Sequence, residues 1–189
     1  MSDSKIKDFF SNITFRKAIW FAPLIYLMHM IEEAVLGFYV FMNVHHGTNV
    51  TLVGFLLANM MIMIMYLIVI TTFTVYSKPI TAFFALLGIT AAQFFNAFAH
   101  LIYSIYFLDF CPGVITGFAL YIPFVSILWW IAYKDEYVTK QSLAVIIVLG
   151  AVLMALFEVP FLNVVILFGW PILTLLSALI YHYRFEKSE

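Results

Sequence analysis

The chain has 189 residues, 65% of them hydrophobic and only 10% charged, with 21 Phe and 11 Tyr against 9 Lys plus Arg. A soluble domain carries about 25% charged residues, so this composition excludes one and makes lipid the solvent. The formal charge of −1 leaves no basic field for nucleic acid, and the single cysteine, Cys111, excludes an internal disulfide and a cysteine-based zinc cluster.

Residues 1–16 are polar, but Ile6, Phe9, Phe10 and Ile13 recur at i, i+3, i+4 and i+7. That spacing predicts a short amphipathic helix on the inner membrane surface. It does not read as a cleaved signal peptide: the first apolar run is too long, carries two acids and meets no small-residue cleavage site.

The remainder, 17–189, reads as a single all-α domain, a polytopic transmembrane helix bundle. A span needs about 20 predominantly apolar residues. Six are expected, over 17–44, 50–76, 79–108, 114–133, 142–157 and 160–183. Asn43–Asn49, Ser77–Pro79, Asp109–Gly113 and Lys134–Lys140 separate the first five, and Glu158-Val-Pro160 splits the last pair. Proline begins a helix well and ends the one before it. With the N-terminus inside, all nine Lys and Arg fall on the cytoplasmic side, and the outer loops hold none. Five spans would put Arg184 and Lys187 outside. Both termini are therefore expected to be cytoplasmic, and the chain to lie in the cytoplasmic (inner) membrane. Loops this short leave no room for a site outside the spans.

Ionisable groups at membrane depth cost about 2.5–3.5 kcal/mol each, so those present call for a reason. The first span holds His29-Met-Ile-Glu32-Glu33, whose three polar side chains share one helical face. The third holds Gln93, Asn96 and His100 at i, i+3 and i+7. At about 1.5 Å per residue, His29 and Glu33 lie roughly 18 and 24 Å from Lys17, and Asn96 and His100 roughly 26 and 31 Å from Pro79. Glu158 reaches roughly 25 Å from Gln141 by the same count. These groups, with Asn59 and Asn163, occupy one level in the outer half.

No Lys or Arg lies within a span to neutralise the acids. Three solutions stay open: protonated carboxyls, an imidazolium partner, or a bound divalent metal. His29, Glu32, Glu33 and His100 form a ligand set for zinc, iron or manganese. A protonated carboxyl in an apolar cavity is instead a general acid. Asn96 would orient substrate or a ligand, and Glu158 would supply a second acid from the opposite side.

The other polar groups have plainer readings. Asn59, Gln93 and Asn163 are expected to pack helices. His45 and His46 are expected to be solvated, and His182 to sit in an interfacial aromatic belt. Met60–Met65 resembles a copper box but reads as apolar filler. Pro23 should kink the first helix. Pro123 and Gly169-Trp170-Pro171 should add bends that loosen the bundle.

His29-x-x-Glu32-Glu33 followed by Asn96-x-x-x-His100 on a later span resembles the HXXEE-domain membrane proteins. The resemblance covers most of the chain. It implies a small multi-span bundle, an enzymatic activity, and this choice of residues, but it names no substrate or reaction. The paired acids are also similar to the CPBP type of intramembrane protease. The arginine expected after them is absent, since Ala34-Val-Leu36 follows, and a later His-x-x-x-Asn is missing.

The expected function is an intramembrane enzyme acting on a membrane lipid or other apolar small molecule, by hydrolysis, isomerisation, cyclisation or oxidation. The histidines are too few for a desaturase-type di-iron site. A proton-coupled transporter would use the same acids but lacks visible internal repeats, which a homodimer would replace. A structural or binding protein would use the cluster only to lock the bundle. The three differ in geometry: a closed pocket at His29 and Glu33, a water path to both faces, or a satisfied cluster with no cavity.

Overall fold

The computed structural model describes residues 13–159 and 161–186, and helix dominates throughout. The elements are α1 (Phe15–Leu36), α3 (Leu52–Val75), α4 (Pro79–Phe107), α5 (Val114–Lys134), α6 (Lys140–Phe157) and α7 (Leu162–Arg184), with α2 (Phe38–His46) between the first two. All but α2 are long and apolar enough to cross a membrane, which matches the six expected spans. Of the expected amphipathic segment, Ile6, Phe9 and Phe10 lie outside the described residues. Its last turn already belongs to α1, where Phe15 is fully buried against Phe73 and Tyr137.

Two boundaries differ from the sequence expectation. The first span was drawn to Val44, but the chain turns at Gly37, whose φ of +79° is left-handed and easy only for glycine. Residues after it form α2 as a separate short helix. Pro23 acts upstream of its own position: it has no N–H for the Ile19 carbonyl, and the helix loosens into a turn at Ile19–Trp20. That break lies on the side of Pro23 away from His29. The split between α6 and α7 falls where expected, with Phe161 at a φ of +74°.

The long helix α4 is the most buried of the six and forms the hub. Around it run α5, α1, α3, α7 and α6, each packed on the next from α5 through to α6. Small residues allow the approach. Gly88 lies under the Trp170 indole of α7, whose N–H donates to the Phe84 carbonyl at 2.8 Å. Gly150 of α6 faces Thr90, and Gly117 of α5 meets Ala97. Both α4 and α5 contain a wide π-type turn, at Thr90–Phe95 and Gly117–Tyr121. The second precedes Pro123, which removes one backbone donor from that region.

The two ends of the bundle differ in charge. The described Lys and Arg residues, Arg16, Lys17, Lys78, Lys134, Lys140 and Arg184, all sit at the end where α1 starts and α7 finishes. The other end carries α2 and the polar cluster.

Candidate metal centre

One turn of α1 supplies two groups. His29 and Glu33 are four residues apart, hence stacked on one face, and are 2% and 5% exposed. From α4 comes His100, also 2% exposed. Glu33 Oε1 lies 3.5 Å from His29 Nε2 and 3.3 Å from His100 Nε2. All three atoms fall within 4.8 Å of one another. The sequence placed these residues together, and the structure brings their side chains to one point.

The turn leading into α5 holds the other edge of each imidazole. His29 Nδ1 is 2.8 Å from Thr116 Oγ1, and His100 Nδ1 is 3.3 Å from Cys111 Sγ. Burial and the nearby Glu33 push the Cys111 thiol up to about 12, so it stays protonated. With both Nδ1 edges engaged, both Nε2 edges point at Glu33. Gly113 makes room for this. Its φ is +102°, and a Cβ there would lie 2.7 Å from His100 Cε1 and 2.9 Å from His29 Cε1. Cys111, Gly113 and Thr116 were invisible as site residues in the sequence, where the first two read only as part of a polar break and Thr116 as part of the fourth span. The one available signal was a Cys-Pro-Gly turn immediately before a span.

Glu32 does something different from its neighbour. Its carboxylate accepts from the backbone N–H groups of Gly113 at 3.0 Å, Ile115 at 3.2 Å and Thr116 at 2.7 Å. It therefore caps the start of α5, at the positive end of that helix dipole. The Thr116 hydroxyl also lies against it. A hydroxyl proton given to Glu32 leaves the Thr116 oxygen free to accept His29 Nδ1–H, which keeps the Nε2 lone pair available. Glu32 was expected among the ligands. It lies outside the converging trio and reaches it only through Thr116.

The trio forms one wall of a cavity of about 800 Å³ that runs from the end opposite the basic residues down to Phe84, near the start of α4. Its floor is Phe84, Gly88 and Trp170, its sides are mostly apolar, and α2 roofs it. Phe38 of α2 packs on the His100 ring at 5.0 Å between centroids, and Phe41 meets Phe107 at 5.8 Å. Asn96 lines the cavity, and its Oδ1 is buried without a partner. Glu158 lines the mouth, where it accepts the Tyr103 hydroxyl, away from the trio.

The expected packing residues mostly behave as such. Gln93 donates to the Ala22 carbonyl at 2.8 Å and Asn59 accepts the Tyr26 hydroxyl, each between helices, whereas Asn163 takes only the N–H of its neighbour Val164 at 2.7 Å and lines the cavity. Met60 and Met61 face outward. The histidines after the first span are not simply solvated. His45 is 2.9 Å from Asp109 and stacks on Phe107, while His46 packs against Tyr103 and lines the cavity. The hydrogen bond from His45, then that from the Phe110 N–H, holds the Asp109 carboxyl below its usual range. His182 lies near Tyr76 and Tyr183, in keeping with an aromatic belt.

The donors suit a small divalent ion. Ligand atoms about 2.1 Å from a tetrahedral centre lie about 3.4 Å apart, close to both measured separations. His29 Nε2 is buried and makes no hydrogen bond, with Glu33 Oε1 facing it at 3.5 Å, so its lone pair could serve a metal ion. Three protein ligands, with a fourth direction facing a cavity, is the open type of site.

The fold and site thus define a polytopic helical membrane protein with a buried two-histidine, one-carboxylate cluster. The family of proteins of unknown function with the HXXEE motif matches residues 20–128, and the chain belongs to it. The match runs from α1 into α5 and includes all three converging residues and the turn that braces them. No curated protein and no solved structure matches the chain.

Proposed function

We propose that the chain is a metal-dependent enzyme of the membrane interior, acting on a lipid-like substrate admitted to the cavity. The observation that carries this reading is the meeting of His29 Nε2, His100 Nε2 and Glu33 Oε1 at the wall of an apolar chamber. His29, Glu33 and His100 would hold the ion, with zinc, iron and manganese all compatible with the donors. When bound, it would supply Lewis acidity and a low-pKa water. The rest falls to the chain's own residues. Asn96 Oδ1 accepts a hydrogen bond from the substrate, the apolar walls exclude bulk water, and α2 covers the site.

Two other readings have less support. A purely structural cluster would be mutually satisfied without a cavity, yet a cavity adjoins this one and Asn96 Oδ1 is buried in it with no hydrogen bond. A carrier needs a path to both faces. Towards the basic end Phe15, Ile19, Ile70, Phe73 and Leu128 fill the interior between α1, α3 and α5. The groove of about 490 Å³ between α4 and α7, which meets the cavity at Phe84 and Leu173, is apolar but for Ser177 and Tyr181 and so offers little to a water path. The gathering of the described Lys and Arg at that end supports a cytoplasmic placement for it and for both termini.

Metal analysis of the purified protein tests the reading. About one equivalent of a transition metal is expected in the wild type, falling to background in Glu33→Gln and in His100→Ala. Wild-type protein that stays metal-free after incubation with zinc, iron and manganese would sink it.

A further inference from the structure

The cavity has a charge pattern that selects its occupant. Two carboxylates line it, Glu33 between the two imidazoles and Glu158 at the mouth, and no Lys or Arg does. Every described Lys and Arg sits at the opposite end of the bundle. At the mouth, away from the trio and any ion it holds, a phosphate or fatty-acid head would face the Glu158 carboxylate and no Lys or Arg, which is costly. A protonated amine would meet a carboxylate.

Resting on the reading of this cavity as a lipid site, we propose that its ligand is a single-chain amphiphile with a cationic amine head, and that Glu158 selects the head at the mouth. Three features at that mouth fit it. The Tyr103 hydroxyl donates to Glu158 Oε2 and steadies the carboxylate, leaving Oε1 for a ligand. The Tyr103 ring, packed edge-on against His46 at 5.1 Å, offers a π face to a cation. Thr48 and Asn163 also line the cavity and add oxygen acceptors.

Below the mouth the surface turns apolar, through Phe55, Ile62, Leu153 and Phe157 to Trp170 on the floor. A volume of about 800 Å³ suits one chain rather than a two-chain lipid. A chain threaded from Glu158 to the floor passes the trio, so an interior position, not the head, faces His29 Nε2. Asn96 Oδ1, buried at the cavity with no hydrogen-bond partner, independently marks the chamber as built for a guest.

The test is equilibrium binding of chain-matched stearylamine, stearyl alcohol and stearate to the full chain in nanodiscs of zwitterionic lipid. Stearylamine is expected to bind about tenfold or more tightly than stearate, the scale of one well-placed charge pair. Glu158→Gln should remove the amine's advantage over the alcohol, and Glu158→Lys should bring stearate ahead. The same order in His29→Ala would exclude binding of the amine nitrogen to a metal as its cause. Stearate binding as well as stearylamine, or a preference that survives Glu158→Gln, overturns the proposal. Absence of saturable binding by all three also overturns it, while metal content, measured separately, decides the metal centre. Amine selection in a protein that never takes up metal would retain this inference and discard the enzyme reading.

Discussion

The two ends of this bundle are built from the same apolar helices to opposite purposes. At the basic end the interior between α1, α3 and α5 is closed: Phe15, Ile19, Ile70, Phe73, Val125 and Leu128 are wholly buried there, and only an apolar groove between α4 and α7 indents it. At the other end the same helices separate around a cavity, and His29, Glu33, His100 and Asn96 face one another there. Packing is the main attraction between helices in lipid, so the closed end is where the fold gains its stability. The open end gives up that packing and buries costly polar groups as well. A protein tolerates such a region where chemistry needs it. Glu32 and Glu33 repeat the contrast within two residues: one carboxylate secures a helix, and the other faces the cavity.

Two glycine substitutions should most strongly separate packing, at the cavity floor where the closed interior begins, from the shape of the centre. In Gly88→Ala the new Cβ would lie 2.0 Å from Trp170 Cε2, so the indole must leave its place and its bond to Phe84. A loss of about 3 kcal/mol is expected, the upper range for overpacking, read as a lowered unfolding midpoint in detergent. Gly113→Ala meets the two imidazoles and a left-handed backbone together. It should cost about 2 kcal/mol and, unlike Gly88→Ala, abolish metal uptake in the protein that remains folded. Equal metal retention in both variants would mean that Gly113 does not shape the centre.

The adjacent acids sharpen the comparison at a smaller scale. Glu32→Gln removes the charge that caps α5 and should lower stability by about 1 kcal/mol. Through Thr116 it should also weaken metal binding by about tenfold, as should Thr116→Val. Glu33→Gln should do the reverse: metal binding is lost, while the start of α5 stays capped, and any loss of stability in the metal-free protein comes from the two imidazoles losing their carboxylate. Metal titration beside thermal unfolding of each variant reads both quantities. Identical behaviour of Glu32→Gln and Glu33→Gln would erase the distinction between them.

Much of this was legible in the sequence. Composition and breaker residues indicated six spans, and helical periodicity put His29 with Glu33 and Asn96 with His100. Three things were not legible. The end of the first span at Gly37 was hidden because the residues beyond it, Phe38 to Val44, are as apolar as a span. Only the left-handed backbone makes α2 a roof. The separation of Glu32 from Glu33 depends on where the N–H groups of α5 fall, and helical spacing within α1 carries no information about that. Cys111, Gly113 and Thr116 act through a turn whose partners lie more than ten residues away or on another helix.

The smallest effect concerns the roof. His45 of α2 is tied to Asp109, just past the end of α4, so the pair links the roof to the hub helix. Asp109 has a lowered carboxyl pKa in the folded chain, mainly through the His45 hydrogen bond. Its contribution is therefore complete above the ordinary carboxylate value of about 4 and fades as pH falls through the lower folded value. Amide exchange in α2 should stay slow down to about pH 4 and then rise relative to α3 once the intrinsic acid dependence of exchange is removed. Asp109→Asn should show the faster α2 exchange already at neutral pH, with the closed end unaffected. The pair is exposed and the aromatic contacts of Phe38 and Phe41 remain, so the roof should loosen without unfolding. Exchange in α2 that is indifferent both to acid and to Asp109→Asn would show that those rings alone hold it down.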